Sequence, residues 1–479
     1  MLKRHTLLSL AILGLYAAAA ESVETREIVS TLQDQQQLAV TIYNDNLAMV
    51  KDQRKLTLGT GQTILSLRDI SAQMRPESVL LHSRNAPGSL SIQEQNFDFD
   101  LLTPEKLLEK YTGKTVTIIR TNPATGVETS EQAKVLSTNN GVVLKVGNRI
   151  ETGIPGRIVY DEMPANLHDR PTLVTQLTNN GPANQELELS YLTTGLSWKA
   201  DYVAELNSAE NKLDLSAWAS LSNTSGTRYL GAKVQLVAGD VNMVRDQPAA
   251  LDMRMKTMQM AEAQPMAEES LSEYHVYTLD RPITLADNQT KQVSMLAANG
   301  VPVHKEFLVQ GANYYYQAAQ SDLEQKLKVA VQLEFDNKVN VHLGMPLPKG
   351  IIRVYQKDKA GTAHFIGEDR LDHTPKNDTV KVKLGNAFDV AAARKQTEFK
   401  RLPNPDKGSS LFESAYEITI RNAKKEAINV TVQEPIPGDW RILRSSHPFE
   451  KGSSSMALWH IQVPAEGQTT LAYRVQVKY

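Results

Sequence analysis

The chain is 479 residues long and carries 52 Lys and Arg against 54 Asp and Glu, a net charge of −2. That length exceeds what one core normally supports, so several domains are expected, and the balanced charge argues against general affinity for nucleic acid or anionic lipid. The absence of cysteine excludes disulfides, thiol chemistry, zinc–thiolate sites and a lipid-modified cysteine.

Residues 1–20 read as a signal peptide. Lys3 and Arg4 form a short basic start, residues 7–17 an apolar run, and Ala18-Ala19-Ala20 a small-residue cleavage site before Glu21. Removing Lys3 and Arg4 takes the charge from −2 to −4. The apolar run is too short to remain as a membrane span, and no integral membrane segment is expected after cleavage. The mature protein is expected in the periplasm of a Gram-negative bacterium, or secreted.

Residues 21–102 form an expected N-terminal β domain. Alternating runs at 38–43 and 48–58 flank Asn44-Asp45-Asn46, which is turn chemistry, and 63–67 follows Gly59-Thr60-Gly61. Thr103 and Pro104 then open one short helix with Leu107, Leu108 and Tyr111 on its apolar face. Strands at 115–120, 131–137, 141–146 and 158–160, with a hairpin turn at Asn139-Asn140-Gly141, predict a small SH3-like barrel over 103–164, inserted into a larger β domain.

From residue 165 a pattern repeats in which an alternating strand ends at Asn, a short polar turn follows and a second strand returns. It occurs at Asn179, Asn223, Asn337 and Asn422. Repeated hairpins of this kind build immunoglobulin-like sandwiches, expected at 165–242, 275–400 and 408–479. The segment 243–274 interrupts them with Met243, Met253, Met255, Met258, Met260 and Met266, and reads as a flexible or partly helical insertion. The stretch 401–410, with two prolines, a glycine and two serines, reads as a linker. The fold class is mainly β: several antiparallel sandwiches, one small barrel and few helices.

The run Tyr191-Leu192-Thr193-Thr194-Gly195-Leu196-Ser197-Trp198-Lys199-Ala200-Asp201-Tyr202 resembles a family of uncharacterised secreted bacterial proteins, the mucoidy-inhibitor-A-like proteins. The resemblance continues at 217–240, at 367–375 and at Gly385-Asn386-Ala387-Phe388-Asp389-Val390. It implies the compartment and the domain order, and it assigns no catalytic residue.

No phosphate-binding glycine loop, nucleophile elbow or zinc-protease helix motif is present. Asp98 and Asp100 alternate with Phe97 and Phe99 without the glycine a calcium loop needs, and read as a strand face. The densest polar cluster is Glu368, Asp369, Asp372 and His373. It is a candidate for a divalent metal or an acid–base pair, set against a solvated turn that Thr374-Pro375 ends. The methionine-rich insertion is a candidate for Cu(I), set against an adaptable contact surface. Tyr314, Tyr315 and Tyr316 cannot all face one core, which makes them a candidate contact patch. Trp198, Trp218, Trp440 and Trp459 lie in or beside strands, where burial is the common fate of tryptophan and an exposed sugar platform the alternative. A terminal Tyr479 after an alternating strand suits a membrane barrel, but charges on both faces argue against one.

The expectation is therefore an exported, non-enzymatic scaffold or adaptor of the envelope, with no cofactor, partnered by an envelope protein or polysaccharide. The alternatives are a metal-dependent hydrolase centred on Glu368 to His373 and a carbohydrate-binding module.

Overall fold

The structure is a computed structural model that describes residues 27–98, 102–154, 156–164, 167, 169–239, 268–271, 274–312, 316–320, 324–403 and 410–479. The signal segment, the methionines from Met243 to Met266, Asp100, Tyr314, Tyr315 and linker residues 404–409 lie outside them. The described chain is mainly β, with antiparallel-rich sheets and one α-helix, Pro104–Lys110. It divides into two compact units: residues 1–37, 52–72 and 80–189, and residues 38–51, 73–79 and 190–479.

In the first unit, sheet I has the strand order Glu27–Ser30, Gly61–Arg68, Thr172–Asn179, Leu90–Asp98, and its first pair is parallel. The strand Leu47–Thr57 brings Asp52 and Arg54 inward, in phase with the buried Leu56. Alternation forces this placement: residues two apart share a face whatever their polarity. The pair survives burial because its hydrogen bonds are made. The Arg54 guanidinium donates to Asp52 Oδ2 at 2.8 Å, to the Ser30 carbonyl at 3.2 Å and to the Arg68 carbonyl at 2.8 Å, while Gln35 donates to Asp52 Oδ1 at 2.8 Å.

Sheet II is the small insert. Its five strands run in the order Arg149–Thr152, Val143–Val146, Glu128–Ser137, Thr115–Thr121, Arg157–Val159. Asn140 and Gly141 take positive φ of 56° and 127° at the expected hairpin turn. Thr103 caps the helix by accepting from the Lys106 amide at 3.2 Å. The sheet is open: no closed barrel forms among the described residues, where the sequence suggests a small SH3-like barrel. The two edge strands are only four and three residues long and do not pair with each other. Leu108 and Tyr111, at the end of the helix, fill the core that closure would otherwise have sealed.

Sheet III includes the strands Tyr229–Ala238 and Tyr274–Thr278, and the second unit holds three further sheets. Sheet IV has the order Gln289–Pro302, Lys212–Asn223, Leu196–Leu206, Gly350–Lys357, Ala363–Leu371. Trp198 on its inner face donates to the Val237 carbonyl at 3.1 Å and meets Tyr277 edge to face, so this face packs against the strands Tyr229–Ala238 and Tyr274–Thr278. Sheet V has the order Thr379–Asn386, Val329–Asp336, His304–Gln310, Ile428–Pro435, Met456–Val463, Glu450–Ser453. Sheet VI has the order Gln325–Leu327, Val390–Leu402, Leu411–Asn422, Gly467–Lys478, Asp439–Ser445. Their facing sides share one apolar core that includes Ile418, Ile420, Val430, Val432, Trp459, Ile461 and Val475. Strands from both sides of residues 404–409 therefore contribute to each of these two sheets.

The four asparagines that end the repeated strands do one common job. All are buried. In each, Oδ1 accepts a backbone N–H from its own turn: Gly181, Ser225, Gly344 and Lys424. Each Nδ2 donates to a carbonyl farther along its own connection and to one in a separate loop. These are Pro182 and Gly59 for Asn179, Thr227 and Ala286 for Asn223, Met345 and Pro375 for Asn337, and Glu426 and Pro464 for Asn422. The repeat visible in the sequence is thus a side-chain staple that pairs backbone groups at the end of a strand, where the ladder has stopped. Asn422→Ala should cost about 1–3 kcal/mol, because two carbonyls and one amide lose their partner in part-buried bonds. Denaturant melts should show this loss, whereas Asn207→Ala, whose side chain bonds only within its own exposed turn, should lose under about 1 kcal/mol.

Candidate functional site

The four polar residues expected as a cluster do not converge. Glu368 lies on the solvent-facing side of sheet IV and pairs with Arg353 at 3.3 Å. Asp369, the next residue along the strand, faces the other way and accepts from the Lys383 amide at 2.7 Å. Asp372 and His373 follow the strand end and are exposed, with His373 Nδ1 accepting from the Lys349 amide at 3.3 Å. Among the described residues no group of three or more His, Asp or Glu side chains is placed to hold a metal ion. Of the tyrosine run, Tyr316 is fully buried in the core between sheets V and VI.

Tyr316 belongs to a polar network that the sequence reading missed. Arg394 and Glu434 are both buried, with Arg394 Nη1 at 3.4 Å from Glu434 Oε2. Tyr316 donates to Glu434 Oε2 at 2.7 Å, and Arg394 donates to the Tyr473 hydroxyl at 3.2 Å. The Arg394 guanidinium lies over the Tyr416 ring at 4.0 Å. Burial pushes the Glu434 carboxyl above its ordinary value, and attraction to Arg394 only partly reverses this. Burial also drives the Tyr316 and Tyr473 hydroxyls well above theirs. For Arg394 burial works against the charge, but the surrounding Tyr473 and Glu434 outweigh it, and the side chain remains a cation. These are strongly perturbed groups, yet they are sealed between two sheets and meet no solvent, so the network reads as part of the core.

The signal for this network was present in the pattern. Glu434 continues the inward phase of Ile428, Val430 and Val432, and Arg394 continues that of Val390 and Ala392. A charge in phase with buried apolar residues is a buried charge, as Asp52 and Arg54 also show.

The outer face of sheet IV carries exposed aromatic side chains. Alternation turns Ala217 and Ala219 inward and Trp218 outward. Trp198, Trp440 and Trp459 are buried, whereas Trp218 is 39% exposed. A row of polar contacts crosses all five strands of this face. Gln292 donates to Ser220 at 3.0 Å, and Ser220 to Asp201 at 2.6 Å. Arg353 bridges Asp201 at 3.1 Å and Glu368 at 3.3 Å. Lys199 stands 3.8 Å from Asp201, and Lys357 pairs with Glu205 at 2.5 Å, a hydrogen bond that raises the lysine above its ordinary value. At the far corner Tyr355 and Phe365 pair edge to face with centroids 5.7 Å apart, and Phe365 is 56% exposed.

Register fixes how these groups are laid out. Asp201 sits opposite both Trp218 and Ile351, and Glu205 opposite Tyr355, which in turn faces Phe365. Trp218 and Tyr355 are therefore two strands and four residues of register apart, about 16 Å at ~4.8 Å per strand and ~3.3 Å per residue. Asp201 and Arg353 lie between them. Two aromatic platforms flank a polar centre on a continuous sheet.

Gly367 lets this sheet approach its neighbour. A Cβ there would stand 2.5 Å from the Leu384 carbonyl of the strand Thr379–Asn386, so only glycine allows the strand Ala363–Leu371 to pass so close.

No curated protein matches this chain. One family model does match, over residues 187–479, a span that contains the whole of sheets IV, V and VI. On that match the chain belongs to the family described as Domain of unknown function (DUF4139).

Proposed function

We propose that this protein is an exported, non-catalytic binding component of the bacterial envelope, and that the outer face of sheet IV is its working surface. The observation that carries the proposal is the pairing of exposed Trp218 with exposed Phe365 and its partner Tyr355 on one face, joined by a polar row whose members hold one another in place. Exposed aromatic side chains are costly to leave in water and mark contact surfaces when they share a face. Rigid placement on a sheet lowers the entropy lost on binding. A non-catalytic role is supported by the sealed setting of the strongly perturbed groups and by the dispersal of Glu368, Asp369, Asp372 and His373. The scaffold reading draws support from sheets that share strands from distant parts of the chain.

Export follows from the basic start and apolar run of residues 1–20. Mass spectrometry of the mature protein should find its start at or near Glu21, and retention of Met1 would contradict the envelope assignment.

The binding face is tested by co-purification from envelope extracts. The wild type should retain a component that the triple variant Trp218→Ala, Tyr355→Ala, Phe365→Ala does not, at an unchanged melting temperature. An identical set of retained components would remove this face from consideration.

A further inference from the structure

We infer that the ligand of this face is an uncharged, extended polysaccharide strand laid diagonally from Trp218 to the Tyr355–Phe365 pair; the inference rests on the binding-face reading above. Charge narrows the class of ligand. On this face Lys199, Arg353 and Lys357 lie 2.5–3.8 Å from Asp201, Glu205 and Glu368, and the exposed Lys212, Asp214 and Arg370 leave its rim mixed in sign. At the centre of the diagonal an anionic polymer would have to break those pairs before gaining a cation, and a basic peptide would have to break them to gain a carboxylate. A neutral ligand with apolar faces and hydroxyl edges needs neither.

Geometry narrows it further. Sugar rings present C–H faces that stack on aromatic rings and hydroxyl edges that hydrogen-bond to polar side chains. The diagonal offers these in the matching order. Trp218 gives a first platform, Asp201 and Arg353 a polar centre, and Tyr355 with Phe365 a second platform, over about 16 Å. That span is the length of a few pyranose units. Arg353 is held by Asp201 and Glu368, so it presents N–H groups from a fixed position, while the buried Asp201 anchors it from below. The open edges of the face, at Gln289–Pro302 and Ala363–Leu371, let a longer strand continue past either end.

The test uses intrinsic fluorescence. Because Trp218 is the exposed tryptophan of the four, its emission should report binding selectively. The full-length mature protein is titrated with neutral linear hexasaccharides of the β-glucan, α-glucan, xylan and chitin types, and with polygalacturonate as an anionic control. At least one neutral hexasaccharide should shift the emission, and calorimetry, which does not depend on the fluorophore, should show that Trp218→Ala abolishes the binding. Followed by calorimetry, Tyr355→Ala with Phe365→Ala should weaken the same binding by about tenfold or more. Preference for the anionic polymer, or binding unaffected by these substitutions, would overturn the inference. Should no saccharide bind while a co-purified envelope protein still depends on Trp218, the binding face stands and the polysaccharide assignment falls.

Discussion

Replacing Glu434 with Leu is expected to destabilise the sandwich of sheets V and VI by about 3–5 kcal/mol, the cost of leaving a buried guanidinium without its counter-charge. Arg394 is buried and its cation cannot be relieved by losing a proton, so the whole penalty falls on folding. Arg394→Met should cost a similar amount, because the Glu434 carboxyl then keeps only uncharged hydroxyl partners, Tyr316 and Tyr473. The double variant should cost much less than the sum of the two. Buried ion pairs are held in place by mutual dependence, and an apolar pair of similar volume often substitutes at little loss. Denaturant melts of the three variants give the coupling directly. Additive losses would show that the two charges do not act as a pair. Gly311 adds a steric check, since a Cβ there would stand 2.2 Å from Glu434 Oε2, and Gly311→Ala should disturb the same network.

A fragment of residues 408–479 is expected not to fold cooperatively. It contains six strands of sheets V and VI, but it lacks the strand Val390–Leu402, whose register with Leu411–Asn422 runs the length of both. It also lacks His304–Gln310, which pairs in parallel with Ile428–Pro435. Glu434 would then be left without Arg394 and Tyr316. A fragment starting at residue 376 regains the strand Val390–Leu402 and Arg394, and should melt measurably higher. It still lacks Val329–Asp336, the partner of the strand Thr379–Asn386, so it should remain well below the intact chain. Equal melting of the two fragments would show that residues 376–407 contribute nothing to this core.

Both predictions turn on groups that differ in how they showed in the sequence. The asparagine staples were legible because each sits at a break in alternation, where an apolar run meets a polar turn. Asn422 reads as a turn residue and proves to be one, with its side chain supplying the missing ladder bonds. The antiparallel sheets were legible for the same reason: period-two patterning decides which side chains face a core. Trp218 was legible in phase, since Ala217 and Ala219 claim the inner face, although its type suggested burial.

Other features depended on distance in the chain. Arg394 and Glu434 are forty residues apart, and nothing local announces that they meet. Only the inward phase of each marks them, and phase does not name a partner. The polar row of sheet IV joins Gln292, Ser220, Asp201, Arg353 and Glu368, whose order in space is not their order in the chain. Glu368 drew notice for its neighbours Asp369, Asp372 and His373, but its working neighbour is Arg353, one strand away. The open form of sheet II was hidden because closure depends on whether two short edge strands meet, which composition does not encode.

The most direct test of the binding face is site-specific photo-crosslinking in cells. A diazirine side chain placed at Lys199, exposed at the centre of sheet IV, should capture an envelope component. The same group at Arg421, exposed on sheet VI, should not. Capture at Lys199 should vanish when Trp218, Tyr355 and Phe365 are replaced by Ala. Capture at Arg421 with none at Lys199 would contradict the account, because the working surface would then lie on the other sandwich.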